Sequence, residues 1–386
     1  HRAVPMSTRS KSDPVPMRYC RDLPADPAIR RILVLKWSAM GDVIIATALF
    51  EDIARAFPGR EIHLNTLPAW RILFEQDPRF QRLLMVDLRD RQRRIRSALE
   101  WLRQVRAGRY DLVIDLQCND RSRLLIGLLG LTGQRIPYRL GNKRQFPYNI
   151  APATLPRPIH TITLGRAALQ AGGIPATTPR PVLHIPDRHR ARARELQTTY
   201  GLTPDHYAIF LPGCNANGHL KRWGAARYAA LAKLLHAEGL ERIVLIGGPD
   251  EVDECQRIAQ ACDAWLVNLC GQTAILDIPP LCQSARFIVA NDTGTAHLAS
   301  VTPTPMLVLC GPTDPRRVKP LGDNIRTLQA DLPCINCYRK TCSHHSCMAL
   351  LTPPLVLQQL RGWLDPPRDE TAATVTPDQG GSTGRA

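Results

Sequence analysis

The sequence predicts an α/β fold made of two doubly wound parallel sheets, and three observations support this prediction. Apolar runs of strand length alternate with amphipathic runs of helix length along most of the 386 residues. The strand-like runs are continuously apolar, which is typical of parallel strands covered by helices on both faces. The alternation weakens near the middle of the chain, where prolines accumulate, and then restarts. This break indicates two similar units.

The first unit is predicted to open with a strand at residues 31–37, followed by a small turn and a helix. Apolar side chains recur at helical spacing from Val43 to Phe57, and Pro58-Gly59 ends that helix. The remaining predicted elements are strands at 62–67, 83–88 and 110–116 and an amphipathic helix at 95–105. Strands that alternate with helices in this way form a parallel sheet.

The second unit repeats the alternation after a proline-rich stretch at residues 137–186, in which one short helix is predicted at 162–171. Its predicted elements are a strand at 207–213, a helix at 225–238, a strand at 242–248 and alternating segments at 251–261, 265–269, 281–289 and 305–311. We therefore expect domains at residues 29–185 and 186–365, flanked by polar, disordered segments at 1–28 and 366–386.

The charge balance points to an acidic partner. Lys and Arg number 50 against 34 Asp and Glu, which gives a formal net charge of +16. Residues 79–109 carry ten Arg and only three acidic residues. This run fits either a solvated helix face or a surface that docks on phosphorylated lipid or an acidic sugar. Nucleic acid is not expected as a partner, because no known binding fold or stacking aromatics accompany the run.

The sequence contains no apolar stretch long enough for a transmembrane helix and no apolar stretch of the signal-peptide type near its beginning. Its 12 Cys are scattered, many of them in core-like segments, and we expect most to be unpaired. Unpaired thiols are typical of the cytoplasm. We therefore expect a cytoplasmic protein.

Distinctive turns follow the predicted strands, at the sheet edge where open parallel sheets bind ligands. The most informative is Asn291-Asp292-Thr293-Gly294, where small and hydroxylated residues leave backbone N–H groups free at a helix start. Such a turn can bind a phosphate, although Asp292 and Thr293 could equally be ordinary helix caps. The sequence lacks both G-x-G-x-x-G after the first strand and a G-K-[ST] loop. This argues against a dinucleotide oxidoreductase and a P-loop NTPase.

Six motifs in order along the chain resemble those of the bacterial heptosyltransferases, glycosyltransferase family 9. They are Ser-Ala-Met-Gly-Asp at 38–42, Tyr-Asp-Leu-Val-Ile-Asp-Leu-Gln at 110–117, Leu-Pro-Gly…Lys-Arg-Trp at 211–223, Gly-Gly-Pro-Asp-Glu at 247–251, Asn-Asp-Thr-Gly-x-x-His-Leu at 291–298 and Gly-Pro-Thr-Asp-Pro at 311–315. The resemblance implies the GT-B architecture, with two Rossmann-like domains facing a central cleft. It also implies inverting transfer of heptose from ADP-heptose to the lipopolysaccharide core.

The resemblance places the catalytic base at Asp42, which would deprotonate the acceptor hydroxyl. An ordinary first-turn acid stabilised by the helix dipole is the alternative interpretation. The N-terminal domain would bind the acceptor, with contacts expected at Ser38, Met40, Gly41, Asn119 and Arg121.

The C-terminal domain would bind the donor. The resemblance implies that Lys221 meets the diphosphate together with the backbone of Thr293 and Gly294, that Glu251 contacts the ribose, and that Asp292 holds the donor sugar. His297 could touch phosphate or be a packed structural histidine. Because no Asp-x-Asp metal motif accompanies this set, we expect catalysis without a metal cofactor.

Four cysteines with two histidines among them form a separate cluster near the C-terminal end: Cys334, Cys337, Cys342 and Cys347, with His344 and His345. Four thiolates at short spacing can hold a structural zinc or iron ion. Four free thiols in a polar loop are the alternative.

The expected partners are ADP-heptose and an anionic glycolipid acceptor, with peripheral association to the inner membrane. Two alternatives stay open at this point. The enzyme could glycosylate a protein acceptor such as an autotransporter, or it could be another GT-B nucleotide-sugar enzyme such as an epimerase.

Overall fold

Both predicted parallel sheets are present in the computed structural model, which describes residues 19–88, 92, 94–133, 135–214 and 216–364. The first sheet contains β1 (Arg31–Leu35), β2 (Glu61–Thr66), β3 (Arg82–Met85), β4 (Leu112–Asp115) and β5 (Tyr138–Leu140). Its strand order is β3-β2-β1-β4-β5, and all neighbouring strands are parallel. The helices associated with it are α1 (Met40–Ala56), α2 (Arg71–Phe74), α3 (Arg94–Gly108), α4 (Asp120–Leu131) and α5 (Thr161–Ala171).

The second sheet follows α6 (Asp187–Tyr200) and is also parallel throughout. Its strands are β6 (Tyr207–Leu211), β7 (Arg242–Leu245), β8 (Leu266–Asn268), β9 (Phe287–Asn291), β10 (Met306–Cys310) and β11 (Ile325–Gln329), in the order β11-β10-β9-β6-β7-β8. The remaining helices are α7 (Ala225–Ala237), α8 (Val252–Gln260), α9 (Ile278–Gln283), α10 (Gly294–Ala299), α11 (Pro315–Val318), α12 (Ser346–Ala349) and α13 (Pro353–Leu364).

The central strands explain why the sequence pattern identified the fold. All five residues of β6, β9 and β10 are buried, as their continuously apolar sequences predict for strands covered on both faces. The prediction of two doubly wound parallel sheets is therefore confirmed.

The strand order determines where a ligand can bind. In the first sheet the winding direction reverses between β1 and β4, and in the second it reverses between β6 and β9. Open parallel sheets bind ligands at such switch points, beyond the carboxyl ends of the strands. The turns that follow β1, β4, β6 and β9 therefore define the expected site.

Helix α1 joins the two sheets. It is largely buried, and it packs against α5 of its own domain and against α10 of the second domain. Its apolar residues belong to a cluster that continues through β6 and β9. This packing brings the start of α1 next to the start of α10, so that the two predicted motif turns face each other.

The segment at residues 1–28 was expected to be disordered, and this expectation is wrong for residues 19–28. Leu23 is fully buried, and its backbone N–H donates to the Gly172 carbonyl at 3.0 Å. Arg21 N–H donates to the Ala171 carbonyl at 2.9 Å. The Tyr19 carbonyl also accepts from the Ala151 N–H at 3.0 Å, and Asp26 accepts from the Tyr138 hydroxyl at 2.7 Å. Buried Leu23 and these hydrogen bonds to the first domain order a segment whose composition is polar. Residues 1–18 and 365–386 lie outside the described residues.

Some elements were absent from the sequence-based prediction. Helix α6 is strongly polar and buries only three side chains, so its apolar periodicity is weak. Strand β5 is three residues long and lies in the proline-rich stretch. Within the described ranges, none of the helices has the length and apolar character that crossing a bilayer requires.

Candidate active site

The turn after β1 carries the first part of the site. Gln117, which follows β4, accepts hydrogen bonds from the backbone N–H groups of Trp37 and Ser38 at 3.0 and 3.2 Å. This side chain fixes the turn before α1 begins at Met40. The N–H of Ala39 donates to Asp42 Oδ2 at 3.4 Å, so Asp42 does act as a first-turn acid. That bond is long, and the carboxylate is also exposed to the cleft.

A cleft of about 630 Å³ lies between the two domains. From the first domain it is lined by Met40, Gly41 and Asp42, and from the second by every residue predicted to bind the donor, namely Lys221, Glu251, Asp292, Thr293, Gly294 and His297. The turns that converge on this cleft come from strands that are distant in sequence but share one sheet edge. Their individual roles stay predictions.

Lys221 and Asp292 form an ion pair on the second-domain wall, in which Asp292 is buried and Lys221 is half-buried. Lys221 Nζ lies 2.8 Å from Asp292 Oδ2, which also accepts a hydrogen bond of 2.7 Å from the Thr313 hydroxyl. Burial opposes ionisation of Asp292, but Lys221 and Thr313 outweigh it and hold the pKa of Asp292 below its usual range. Burial likewise opposes the charge on Lys221, and the carboxylate raises the pKa of Lys221 above its usual value. Both groups are therefore charged at neutral pH.

His297 packs directly under the first-domain turn. A Cβ atom on Gly41 would lie 2.6 Å from His297 Cδ2, so only glycine allows this approach. Burial lowers the pKa of His297 to about 4, although Asp292 and Asp42 act in the opposite direction. His297 Nδ1 makes no hydrogen bond to any described residue. The imidazole is therefore neutral at pH 7 and forms the floor of the cleft.

Glu251 lies at the end of the cleft formed by the β6 and β7 turns. Its Oε2 accepts a hydrogen bond of 2.5 Å from the Gly248 N–H. Burial raises the pKa of Glu251, and the Gly248 N–H opposes this shift. Gly213 lies so close that a Cβ atom there would be 1.9 Å from Glu251 Cγ. The glycines on both turns therefore make room for this carboxylate.

A second cavity, of about 230 Å³, lies on the first-domain side of Asp42. Lys36, Asp115, Asn142 and Thr161 line it, and Asp42 is the one residue that lines both this cavity and the cleft in the described chain. The Asn142 Oδ1 and Thr161 Oγ1 atoms are buried without a hydrogen-bond partner among the described residues. The cavity therefore offers polar groups to a ligand next to Asp42.

Lys36 places a buried amino group at this cavity. Its Nζ donates to the Leu116 carbonyl at 3.3 Å. Burial lowers the pKa of Lys36, while the nearby carboxylates of Asp42 and Asp115 oppose the shift. Sequence analysis missed Lys36, although a lysine at the end of an otherwise apolar buried strand was a usable signal.

The two domains and their motifs match a known protein family. The family model described as glycosyltransferase family 9 (heptosyltransferase) matches residues 98–348, which is well over half of the chain. The chain belongs to glycosyltransferase family 9. This glycosyltransferase is 27% identical over 355 residues to lipopolysaccharide heptosyltransferase 2 of Escherichia coli K12, covering 86% of this chain and 98% of that relative.

Solved structures share the fold of this glycosyltransferase. A family 9 glycosyl transferase from Veillonella parvula superposes with a TM-score of 0.74 at 22% identity, covering 87% of this chain and 97% of that one. The E. coli heptosyltransferase WaaC with ADP gives a TM-score of 0.64 at 22% identity, covering 86% and 99%. The predicted GT-B architecture and glycosyltransferase class are confirmed.

The residues predicted to contact the acceptor separate into two groups in the glycosyltransferase. Ser38 lines the smaller cavity, and Met40 and Gly41 line the cleft. Asn119 lines neither, because it caps α4 by accepting the Ser122 N–H at 2.9 Å. Arg121 lines a groove between α3 and α4 instead. The structure therefore does not bring Asn119 and Arg121 to Asp42.

The predicted metal site at Cys334, Cys337, Cys342 and Cys347 is not supported. Among the described residues, no group of three or more His, Cys, Asp or Glu side chains is arranged to hold a metal ion. The segment is ordered in other ways. His345 Nε2 is hydrogen-bonded to the Leu220 carbonyl at 2.6 Å, and the Tyr338 N–H donates to the Pro312 carbonyl at 2.9 Å. Cysteine spacing alone therefore does not establish a metal site, and four free thiols, the alternative interpretation, describe this segment.

The cysteine-rich segment contributes to the cleft. Tyr338, Arg339 and Lys340 line its rim, and the Tyr338 hydroxyl accepts the Asp314 N–H at 3.1 Å. Sequence analysis assigned no donor role to these cations. Arg339 and Lys340 lie two and three residues after Cys337. The cysteine spacing gave no signal for a role of these cations in the cleft.

The described part of the arginine run at residues 79–109 is not one continuous surface, and Arg89, Arg91 and Arg93 lie outside the described residues. Arg79 is only 10% exposed, and its guanidinium is bonded to Asp77 at 2.6 Å and to Glu51 at 3.3 Å. It also donates to the Val182 carbonyl at 2.9 Å. Arg79 therefore belongs to the structural framework, whereas the arginines of α3 lie on a separate helix.

His297 should make the stability of the enzyme depend on pH. Its pKa is about 4 in the folded chain and about 6.5 when unfolded, so the unfolded state binds more protons between these values. Stability from the neutral imidazole is therefore present above pH 6.5 and lost as the pH falls toward 4. The loss should be about 3 kcal/mol. In urea titrations, His297→Gln should lose correspondingly less stability over this range. The exposed His206→Gln is the control, and equal pH profiles for all three proteins would contradict the assignment.

Proposed function

We propose that this glycosyltransferase transfers heptose from ADP-heptose to an anionic sugar of the lipopolysaccharide core, with inversion at the anomeric carbon. The observation that carries the proposal is the position of Asp42, which lines both the cleft and the cavity on the first-domain side. A base that joins a donor cavity and an acceptor cavity is what direct displacement requires. The names of relatives, including lipopolysaccharide heptosyltransferase 2, support this choice of sugars.

The cleft suits a nucleoside diphosphate sugar. Lys221 supplies a half-buried ammonium group, and Arg339 and Lys340 add cations at the rim. Helix α10 has only six residues, so its dipole alone is a weak reason for phosphate to bind there. We assign the diphosphate to Lys221, with the Thr293 and Gly294 backbone beside it. The related WaaC structure was determined with ADP, which supports this assignment.

The chemical step follows from these positions. Asp42 takes the proton of the acceptor hydroxyl while the hydroxyl oxygen attacks the anomeric carbon of the donor. The bond between that carbon and the diphosphate oxygen breaks, and ADP leaves with the electron pair. Negative charge grows on the leaving diphosphate, where fixed cations such as Lys221 stabilise it more than in the ground state. Asp292, held by Lys221 and Thr313, would orient the sugar, and Glu251 the ribose.

The acceptor cavity favours an anionic sugar. A carboxylate or phosphate group would meet the ammonium of Lys36, and sugar hydroxyls could pair with Asn142 and Thr161. An epimerase would need the donor cleft alone, so the second cavity favours transfer. The buried cation also favours a charged sugar over a protein side chain. We expect the reaction at the cytoplasmic side of the inner membrane.

Asp42→Asn should lower kcat by about 10² or more, because the amide cannot accept the acceptor proton. The affinity for ADP should stay within about twofold, since the base acts on the acceptor. Turnover is measured as ADP release in the presence of acceptor, and affinity by calorimetry. Asp120→Asn, which changes the exposed first-turn acid of α4, is the matched control. Wild-type turnover in Asp42→Asn would remove this residue from the mechanism.

Lys221→Ala should weaken ADP binding and lower kcat/KM by a factor equivalent to about 2–4 kcal/mol, as for removal of one electrostatic donor. The exposed Lys233→Ala on α7 should behave like wild type. Because Ala leaves Asp292 without its partner, thermal melts establish that the variant is folded, and Lys221→Arg restores the charge. If calorimetry gives equal ADP affinities for wild type and Lys221→Ala, the diphosphate lies elsewhere.

Lys36→Met should raise the KM for the anionic acceptor by about tenfold or more, because a buried charge-assisted contact is worth about 1.5–3 kcal/mol. ADP affinity should not change, since Lys36 lies outside the donor cleft. Lys233→Met controls for the loss of one positive charge. An unchanged acceptor KM combined with a lower kcat would instead show that Lys36 positions Asp42.

A further inference from the structure

An unusual concentration of exposed apolar side chains lies on one side of the first domain. Five of the eight large apolar residues that are exposed in the described chain belong to α3, α4 or the loop after β5. They are Ile95 at 79% exposure, Leu99 at 62%, Leu124 at 62%, Leu131 at 83% and Phe146 at 77%. We call this surface the α3–α4 face. Monomeric proteins rarely expose contiguous apolar surface of this kind without a partner.

The α3–α4 face is a continuous surface. A groove of about 1050 Å³ separates the two helices, and a second depression of about 460 Å³ lies on the other side of α4. Leu124 and Leu128 line both of them. Phe146 packs at Gly127, where a Cβ atom would come within 2.7 Å of its ring. The exposed phenyl ring is therefore held in place on α4.

The charges around the α3–α4 face have one predominant sign. Arg94, Arg96 and Arg121 line the larger groove, and no described acidic residue lines it. Lys143 and Arg144 are three and two residues before Phe146 in the chain. The nearby Asp120 is paired with Arg123 at 3.0 Å. A partner for this face must therefore combine an apolar interior with a negatively charged surface.

The face is also connected to the acceptor cavity. Asp115, Gln117 and Cys118 line that cavity at the end of β4, and α4 begins two residues later at Asp120. Helix α4 therefore leads from the acceptor cavity along the α3–α4 face. A lipid-anchored acceptor would reach Asp42 from this side of the domain.

We propose that the α3–α4 face docks on the surface of an anionic phospholipid bilayer. Ile95, Leu99, Leu131 and Phe146 enter the boundary between headgroups and acyl chains, while the arginines contact lipid phosphates. A second copy of the chain fits less well, because a two-fold contact through this face would place arginines against arginines. This inference rests on the proposed function in one respect: a lipid-anchored acceptor is the reason for the enzyme to bind a membrane.

Vesicle flotation of the full-length protein tests the docking surface. Wild type should bind vesicles that contain phosphatidylglycerol, bind pure phosphatidylcholine vesicles about tenfold less tightly, and lose affinity as salt is added. The double variant Leu99→Glu/Leu131→Glu should lose at least about tenfold in affinity for the anionic vesicles. Val252→Glu/Leu350→Glu, which changes exposed apolar residues of the second domain, should bind as wild type does.

A third variant separates the charged from the apolar contribution. Arg94→Gln/Arg96→Gln should bind less tightly and show a weaker salt dependence, because fewer cations meet the anionic surface. Failure of wild type to float, or equal binding by wild type and Leu99→Glu/Leu131→Glu, would overturn the proposal. So would a wild-type dimer that Leu131→Glu dissociates without any vesicle binding, since the face would then be an interface between copies.

The same proteins separate this proposal from the proposed function. ADP affinity and turnover on a short, water-soluble acceptor should be unchanged in Leu99→Glu/Leu131→Glu, because neither residue lines the cleft or the acceptor cavity. Loss of vesicle binding with intact turnover supports the α3–α4 face. Vesicle binding without any transfer from ADP-heptose would reject the proposed reaction and leave the docking surface standing.

Discussion

The site depends on the close contact between the starts of α1 and α10. Gly41 packs against the His297 ring, and a Cβ atom on Gly294 would lie 3.0 Å from Met40 Sδ. A side chain at Gly41 would collide with the His297 ring, and one at Gly294 would displace the end of Met40, at the point where both sheets present their ligand-binding edges. The contact therefore sets the width of the cleft and places Asp42 opposite the residues of the second domain. A neutral, buried His297 suits this position because it adds no charge to the interface.

The electrostatics of the site follow from two lysines on opposite sides of Asp42, of which Lys36 is buried and Lys221 half-buried. Lys221 is held by Asp292 on the donor side, and Lys36 faces the acceptor cavity. Buried ion pairs contribute little net stability, since desolvation cancels much of the attraction. The use of these two lysines is chemical. Each lies where water is partly excluded, so that attraction to an anionic ligand is stronger than in bulk water. The acceptor and the leaving diphosphate each bring negative charge to one of these cations.

The sequence predicted the sheets and the second-domain turns that line the cleft, because both depend on local patterns. Continuously apolar strands and the turns after them are visible in sequence, and parallel strands bring those turns to one edge. Lys36, Asn142 and Thr161 come from three separate segments, so only the folded chain shows that they share a cavity. The cysteine cluster shows that a local pattern is not always sufficient. Regular spacing predicted a metal, whereas His345 and Tyr338 order that segment through hydrogen bonds to backbone carbonyls.

Helix α4 connects the acceptor cavity to the α3–α4 face in this enzyme. Its N-terminal end follows the strand that lines the acceptor cavity, and its exposed leucines form much of the α3–α4 face. Its sequence was not recognised as a helix, because apolar residues occur all around it and the periodicity is weak. The same property leaves Leu124 and Leu131 facing solvent while Leu125 and Leu129 pack into the core. A helix that is apolar on both sides must bury its outer side against something. For an enzyme whose proposed acceptor is a lipid-anchored sugar, an anionic bilayer meets that requirement and delivers the acceptor to Asp42 from the same direction.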